Sequence, residues 1–141
     1  MERTNHWYAP SILEQLTTYQ LSLTGREARR RMAEQLSLGE VALLARLAED
    51  GPASHRELGG RLRKDPADMV RLLDAAEGGG LVTRAPDPAD RRRRVVSLTP
   101  DGEAALRAAM EVARAVEDEL LAPLSAAERR TLHALLERLE R

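Results

Sequence analysis

"KDPADMVRLLDAAEGGGLVTRAPDPADRRRRVVSLTPDGEA", residues 64–104, runs through a helix, a hairpin and the start of a second helix, and its reading decides the fold. Asp65 suits a helix cap, and Pro66 suits the first helical position, where its missing N–H would have had no partner. Met69, Leu72, Leu73 and Ala76 then recur at helical spacing. The glycines at 78–80 end that helix. "LVTRA" and "RVVSLT" read as two short strands around "PDPADRRR", a loop with two prolines and two aspartates. The result is a β-hairpin whose tip carries the run Arg91, Arg92, Arg93 and Arg94. Thr99 caps the next helix and Pro100 opens it.

Upstream, "SLGE" at 37–40 and "SHRE" at 54–57 each place Ser three residues before Glu, the arrangement that satisfies free N–H groups at a helix start. Helices are expected over about 38–49, burying Val41, Leu44 and Ala48, and over about 55–63, burying Leu58 and Leu62. "DGPA" at 50–53 separates them, and "RKDP" at 63–66 is the turn into the helix that follows. Two short helices across a tight turn, followed by a hairpin, form a winged helix-turn-helix: the second helix enters the major groove and the hairpin reaches an adjacent one.

Outward from this centre the pattern is helical on both sides. Ile12, Leu16, Tyr19 and Leu23 stripe a helix from Pro10 to about Leu36, with Gly25 costing about 1 kcal/mol relative to Ala in its interior. After Thr99, Leu106, Met110, Ala113 and Leu120 continue one face until Pro123. "SAAE" at 125–128 caps a last helix striped by Leu132, Leu135, Leu136 and Leu139. The fold class expected is mainly α, a winged helix-turn-helix lobe with a two-stranded wing and flanking helices.

Composition narrows the function classes. A chain of 141 residues is long enough for one domain with a real core. The chain has no cysteine, which removes disulfides, thiolate metal sites, cysteine nucleophiles and thiol switches. No stretch approaches the roughly 20 apolar residues that span a bilayer, and the first residues lack a basic start and apolar run, so no membrane association and a cytoplasmic location are expected. His6, His55 and His133 are far apart and begin no metal-binding spacing, and the glycine triplet ends a helix rather than leading into one. Neither an enzyme nor a cofactor or metal site is expected.

Charge is segregated. The chain carries 22 basic and 23 acidic residues in total, yet residues 54–99 hold 10 basic against 7 acidic ones. The positive segment coincides with the expected reading head. Arginine at a hairpin tip can enter a narrow minor groove or clamp phosphates, and either act releases counterions. Arg91, Arg93 and Arg94 are expected to face a duplex, with Arg92 pairing with Asp90 to fix the loop. A winged-helix adaptor that binds protein and not DNA is the alternative.

At this point "LDAAEGGGLVTRAPDPADRRRRVVSLTPDGEA" resembles the stretch from recognition helix through wing of MarR-type transcriptional regulators. The shared features are an Asp on the helix, Gly-apolar-Val before an Arg, Pro-x-Pro-x-Asp with a basic pair, and Leu-Thr-x-x-Gly. The resemblance implies one MarR-type domain over 1–141, a DNA-binding lobe over 37–102, and dimerisation helices over 10–36 and 103–141. It also implies a homodimer on a pseudo-palindromic operator in double-stranded DNA, acting as a repressor. Position by position, Pro66, Ala67, Asp68 and Arg71 would face DNA, Asp90 and Arg92 would hold the wing, and Arg91, Arg93 and Arg94 would sit at its tip. Arg84 is assigned a structural role.

The sequence departs from the family in three places. "PAD" stands where Ser, Thr, Gln or Arg is usual, and Asp68 is read as helping to cap its helix. Ala76 replaces a larger apolar residue, and "GGG" replaces a single glycine. The terminal helices must bury their stripes on something, and a second copy both covers them and supplies two half-sites. Members of the family respond to small aromatic or anionic effectors, for which Trp7, Tyr8 and Tyr19 are the candidate lining.

Overall fold

The computed structural model describes residues 12–33 and 36–140. A short 3₁₀ turn at Ile12–Gln15 precedes α1 (Thr17–Met32), α2 (Leu38–Asp50), β1 (Ala53–Ser54), α3 (His55–Leu62) and α4 (Pro66–Gly78). The wing strands β2 (Val82–Pro86) and β3 (Arg94–Leu98) follow, then α5 (Pro100–Leu120) and α6 (Ala126–Leu139). The winged helix-turn-helix is present in the expected order. Ser37, Ser54 and Ser125 each accept from the backbone N–H three residues on, and Glu40, Glu57 and Glu128 reach back to the cap N–H. All three Ser-x-x-Glu signals therefore act as reciprocal caps.

Four expectations change. The single first helix is split at Leu16, whose extended backbone (φ −88°, ψ 121°) offers no side-chain cap but whose carbonyl accepts from Tyr19 and Gln20 at 3.1 Å each. Pro10 lies outside the described residues, α1 ends at Met32 before Leu36, and Gly25 does not interrupt it. In α2, Ala48 is exposed, while Leu43 and Leu47 are buried with Val41 and Leu44. This helix touches α5, α3, α4 and β3, so its buried arc is wider than one stripe and leaves Ala48 outside it. In α5 the deepest residues are Gly102, which packs on Leu81 and Leu98, and Ala109 and Val116, whereas Leu106, Met110, Ala113 and Leu120 are half-buried.

The fourth change is in the sheet, which has three antiparallel strands in the order β1-β3-β2. β1 pairs Ala53 with Val96 and Ser54 with Val95, and β2 pairs Val82 with Leu98 through to Pro86 with Arg94. A strand of two residues has no alternation to betray it, and "DGPA" reads only as a break. Its effect is to fasten the start of α3 to the wing.

The core belongs to the winged helix-turn-helix. Leu43, Leu44 and Leu47 of α2 pack with Ala53, Leu58, Met69, Leu73, Ala76, Val82 and Val96. Burying each large side chain contributes roughly 1.5–3 kcal/mol, and together they fix α3 and α4 against the sheet. Among the described residues, α1 and α6 contribute nothing to this core. Their apolar side chains are exposed in part, Leu21 at 37% and Leu23 at 36% in α1, Leu135 at 49% and Leu139 at 72% in α6, and Ile12, Leu13 and Leu16 ahead of α1 are exposed as well.

The Leu-Thr-x-x-Gly segment joins wing to α5. Thr99 donates its N–H to the Leu81 carbonyl (3.1 Å) and its hydroxyl to the Gly80 carbonyl (2.7 Å), while the same hydroxyl accepts from the Gly102 N–H (2.9 Å). Gly102 packs so closely that a Cβ there would lie 2.1 Å from the Leu81 oxygen.

Candidate nucleic-acid interface

The turn between α3 and α4 is built by backbone geometry. Arg63 is in the left-handed region (φ 50°), and Lys64 donates to the Gly59 carbonyl at 3.1 Å. The Arg63 guanidinium also donates to the Glu140 carbonyl at 3.2 Å, so the end of α6 rests on this turn. Asp65 then caps α4 by accepting the Asp68 N–H at 2.9 Å, with Pro66 in the first helical position. The cap expected in part from Asp68 is thus made by Asp65. Asp68 instead accepts a hydrogen bond from Arg71. That bond holds the Asp68 carboxyl below its ordinary value and raises the Arg71 guanidinium above its own. Pro66, Ala67 and Arg71 are exposed and Asp68 is half-buried; Ala67, Asp68 and Arg71 lie on the side of α4 away from Met69 and Leu73.

In the wing loop both aspartates fold the chain. Asp87 accepts from the Ala89 N–H (2.9 Å), and Asp90 accepts from the Arg92 N–H (3.0 Å) while its carbonyl takes the Arg93 N–H (2.9 Å). These are the local turns that Asp favours. Asp90 therefore holds Arg92 by its backbone; the expected Asp90–Arg92 side-chain pair is replaced by this turn bond, because the short carboxylate is already committed two residues on. Arg93, expected to point outward, is held by Glu57 and lies 4.0 Å from Asp87. Arg91, Arg92 and Arg94 are exposed, and among the described residues no carboxylate forms a salt bridge with them.

Arg84 has the structural role assigned to it. Its guanidinium donates to Glu77 at 2.9 Å and to Asp74 at 2.6 Å, tying β2 to α4. Those bonds raise its pKa and lower that of Glu77. Glu57 is likewise lowered, first by the Ser54 N–H and then by Arg93.

Two shallow concavities adjoin the start of α3, one lined by Ser54, His55, Arg56, Glu57, Arg93 and Arg94, the other by His55, Arg56, Lys64 and Pro66 among others. His55 and Arg56 border both, so the start of α3 stands between the wing base and the first residue of α4. Arg56 and Lys64 join the wing arginines there. Spacing alone does not identify them, because their place depends on β1 fastening α3 to the wing.

A separate apolar cleft lies between α1, α5 and α6, lined by Ala28, Met32, Met110, Ala113, Leu120 and Leu136 among others. Tyr19 is half-buried on α1 and is not part of that lining. Trp7 and Tyr8 lie outside the described residues. Among those described, no group of three or more His, Asp or Glu is placed to hold a metal ion, and no helix is long and apolar enough to cross a membrane.

The sequence profile of the MarR family matches residues 36–93. The transcriptional regulator HosA of Escherichia coli O111:H- is 40% identical over 73 residues, which are 52% of this chain and 54% of HosA. The chain therefore spans about half the length of that curated relative. A probable transcriptional regulator from Pseudomonas aeruginosa, known from its crystal structure, is 33% identical, with 90% of this chain and 98% of that one covered at a TM-score of 0.82. The transcriptional repressor CouR, solved bound to a 23-mer DNA duplex, is 27% identical, with 92% and 95% covered at a TM-score of 0.83.

Proposed function

Because this chain belongs to the MarR family of transcriptional regulators, we propose that it binds double-stranded DNA as a homodimer and represses transcription from a pseudo-palindromic operator. The observation that carries this reading is that His55 and Arg56, at the start of α3, border both the concavity holding Arg93 and Arg94 and the one holding Lys64 and Pro66. This arrangement presents a helix start and a cationic wing to one ligand, which is what a duplex requires of a winged helix-turn-helix. CouR, a relative over nearly the whole chain, was solved on DNA, which supports the same use of the fold.

The homodimer reading is supported by the exposed leucines of α1 and α6, which a twofold partner would cover. Two lobes then meet half-sites about one helical turn, ~10 bp, apart. Pro66, Ala67, Asp68 and Arg71 are the proposed contacts in the major groove. Arg91 and Arg94 are the proposed phosphate or minor-groove contacts, with Arg93 partly committed to Glu57. A small aromatic or anionic effector belongs to the same reading, with Trp7, Tyr8 and Tyr19 proposed for it; a coupling of about 1–3 kcal/mol is enough to release DNA.

The test is electrophoretic mobility shift on DNA containing the protein's own promoter region, at several salt concentrations. Steep weakening with salt is expected, because phosphate contacts release counterions. Absence of binding at low salt would leave the protein-binding adaptor as the better account.

A further inference from the structure

The first turns of α4 hold little attraction for a polyanion. Asp65 caps the helix, Asp68 follows in its first turn, and the neighbouring cations are Arg71 and Lys64. Two carboxylates thus answer two cations, whereas the wing places four arginines in succession. Asp65, Asp68, Lys64 and Arg71 together carry no net charge and by themselves gain little from counterion release, which falls to Arg56, Arg63 and the wing. What it can offer a duplex is hydrogen bonds of fixed geometry to base edges.

Arg71 is set up for that task. It lies three residues after Asp68, adjacent on the helix surface, and its side chain is 76% exposed while Nη2 is fastened to Asp68 Oδ1. A free arginine samples many rotamers and loses that freedom on contact; a fastened one has lost part of it beforehand. Asp68 uses one Nη2 hydrogen. The second Nη2 hydrogen remains, and with one hydrogen of a neighbouring guanidinium nitrogen it forms a pair of parallel donors of the kind that guanine O6 and N7 accept. The same carboxylate repels phosphate, so it steers Arg71 away from the backbone as well as toward a base.

Resting on the DNA-binding reading above, we propose that Asp68 is a positioning residue that directs Arg71 to one guanine in each half-site, leaving phosphate attraction to the wing and the cations beside α3.

The full chain is used to select duplexes from a randomised library, and the best site and its single-base variants are then titrated at several salt concentrations. For the unaltered protein a guanine is expected at one position per half-site, with replacement of that base weakening binding roughly five- to hundred-fold. Arg71→Ala removes the preference with the salt slope nearly unchanged. Asp68→Ala lowers the preference several-fold while steepening the slope by about 0.9 per subunit, because the released guanidinium turns to a phosphate. Asp68→Asn, which keeps an acceptor and loses the charge, falls between. Both Asp68 variants alter an exposed pair, and unchanged circular dichroism serves as the check on folding.

A selected motif whose guanine preference and salt slope both survive Asp68→Ala would overturn the proposal and make the pair an ordinary solvated one. Loss of a cytosine preference in Asp68→Ala, with Arg71→Ala harmless, would also overturn it, since Asp68 would then read the base itself. Recovery of no motif by the unaltered protein would overturn the DNA-binding reading together with this one.

Discussion

The guanidinium of Arg93, on the wing, is bound by the carboxylate of Glu57, whose other oxygen accepts the Ser54 N–H at 3.1 Å and caps α3. One glutamate therefore serves both the helix start and the wing. The wing arginines are consequently unequal: Arg93 is neutralised where it stands, while Arg91 and Arg94 carry charge with no salt-bridged carboxylate among the described residues. Arg91→Ala and Arg94→Ala are each expected to lower the slope of log K against log[salt] by about 1 per lost phosphate contact. Arg93→Ala is expected to change the slope by clearly less. Mobility-shift titrations from low to moderate salt measure all three, and equal losses would place Arg93 on the duplex.

The lowered glutamates make stability depend on acid. Hydrogen bonds from Arg30 and Arg31 bring Glu27 down to about 2 from an ordinary 4.5, and Glu57, Glu77 and Glu128 are also lowered by the N–H groups and arginines they accept from. A carboxyl with a folded pKa below its unfolded one binds protons more readily when unfolded. Its stabilisation is complete above about pH 4.5 and is lost as pH falls toward the folded value. Urea midpoints are therefore expected to be level from pH 7 to about 5 and to decline from about pH 4.5 toward 2. Glu27→Gln should flatten the lowest part of that decline.

Much of this arrangement was legible in the residues because it depends on local chemistry. Ser-x-x-Glu, Asp-Pro and Thr-Pro fixed the starts of α2 to α6 to within a residue, since a cap is made by side chains only three positions away. The hairpin was legible for the same reason. Glu57–Arg93 and β1 were not, because each depends on segments some forty residues apart coming together. The helix start at Leu16 carries no sequence signal, because Leu16 caps with a carbonyl that every residue has. Ala48 was misplaced because periodicity reports one face, and α2 is surrounded on more than one.

Gly102 is expected to tolerate no side chain. A Cβ would lie 2.1 Å from the Leu81 oxygen and 2.8 Å from Leu98 Cδ1, and the Leu81 carbonyl is itself held by the Thr99 N–H. Gly102→Ala should destabilise by about 1–3 kcal/mol through forced displacement of wing from α5. Gly78, at the end of α4, has open space around its added Cβ. Gly78→Ala should instead stabilise by about 0.5–1 kcal/mol. Urea unfolding of the two variants is expected to move the midpoint in opposite directions.

Arg84 ties the wing to α4 through its fork to Glu77 and Asp74, with only 24% of its side chain exposed. A lysine supplies one ammonium and cannot reproduce two divergent bonds. Arg84→Lys is therefore expected to weaken operator binding several-fold with an unchanged salt slope, because the lost group positions the wing and meets no phosphate. A reduced slope would instead make Arg84 a direct contact.

The exposed leucines of α6 give the dimer its sharpest test. Leu135 is 49% and Leu139 72% exposed, four residues apart on one helical face, and neither belongs to the core of the reading lobe. Leu135→Glu with Leu139→Glu places charge where a partner would have to bury it, at no cost to the lobe. The unaltered chain is expected to sediment as a dimer at micromolar concentration and the double variant as a monomer with unchanged circular dichroism. Operator binding should then fall roughly 100-fold or more, because the second half-site is no longer held near the first. A double variant that still sediments as a dimer would move the interface off this face of α6; an unaltered chain that sediments as a monomer would leave one lobe to read one half-site.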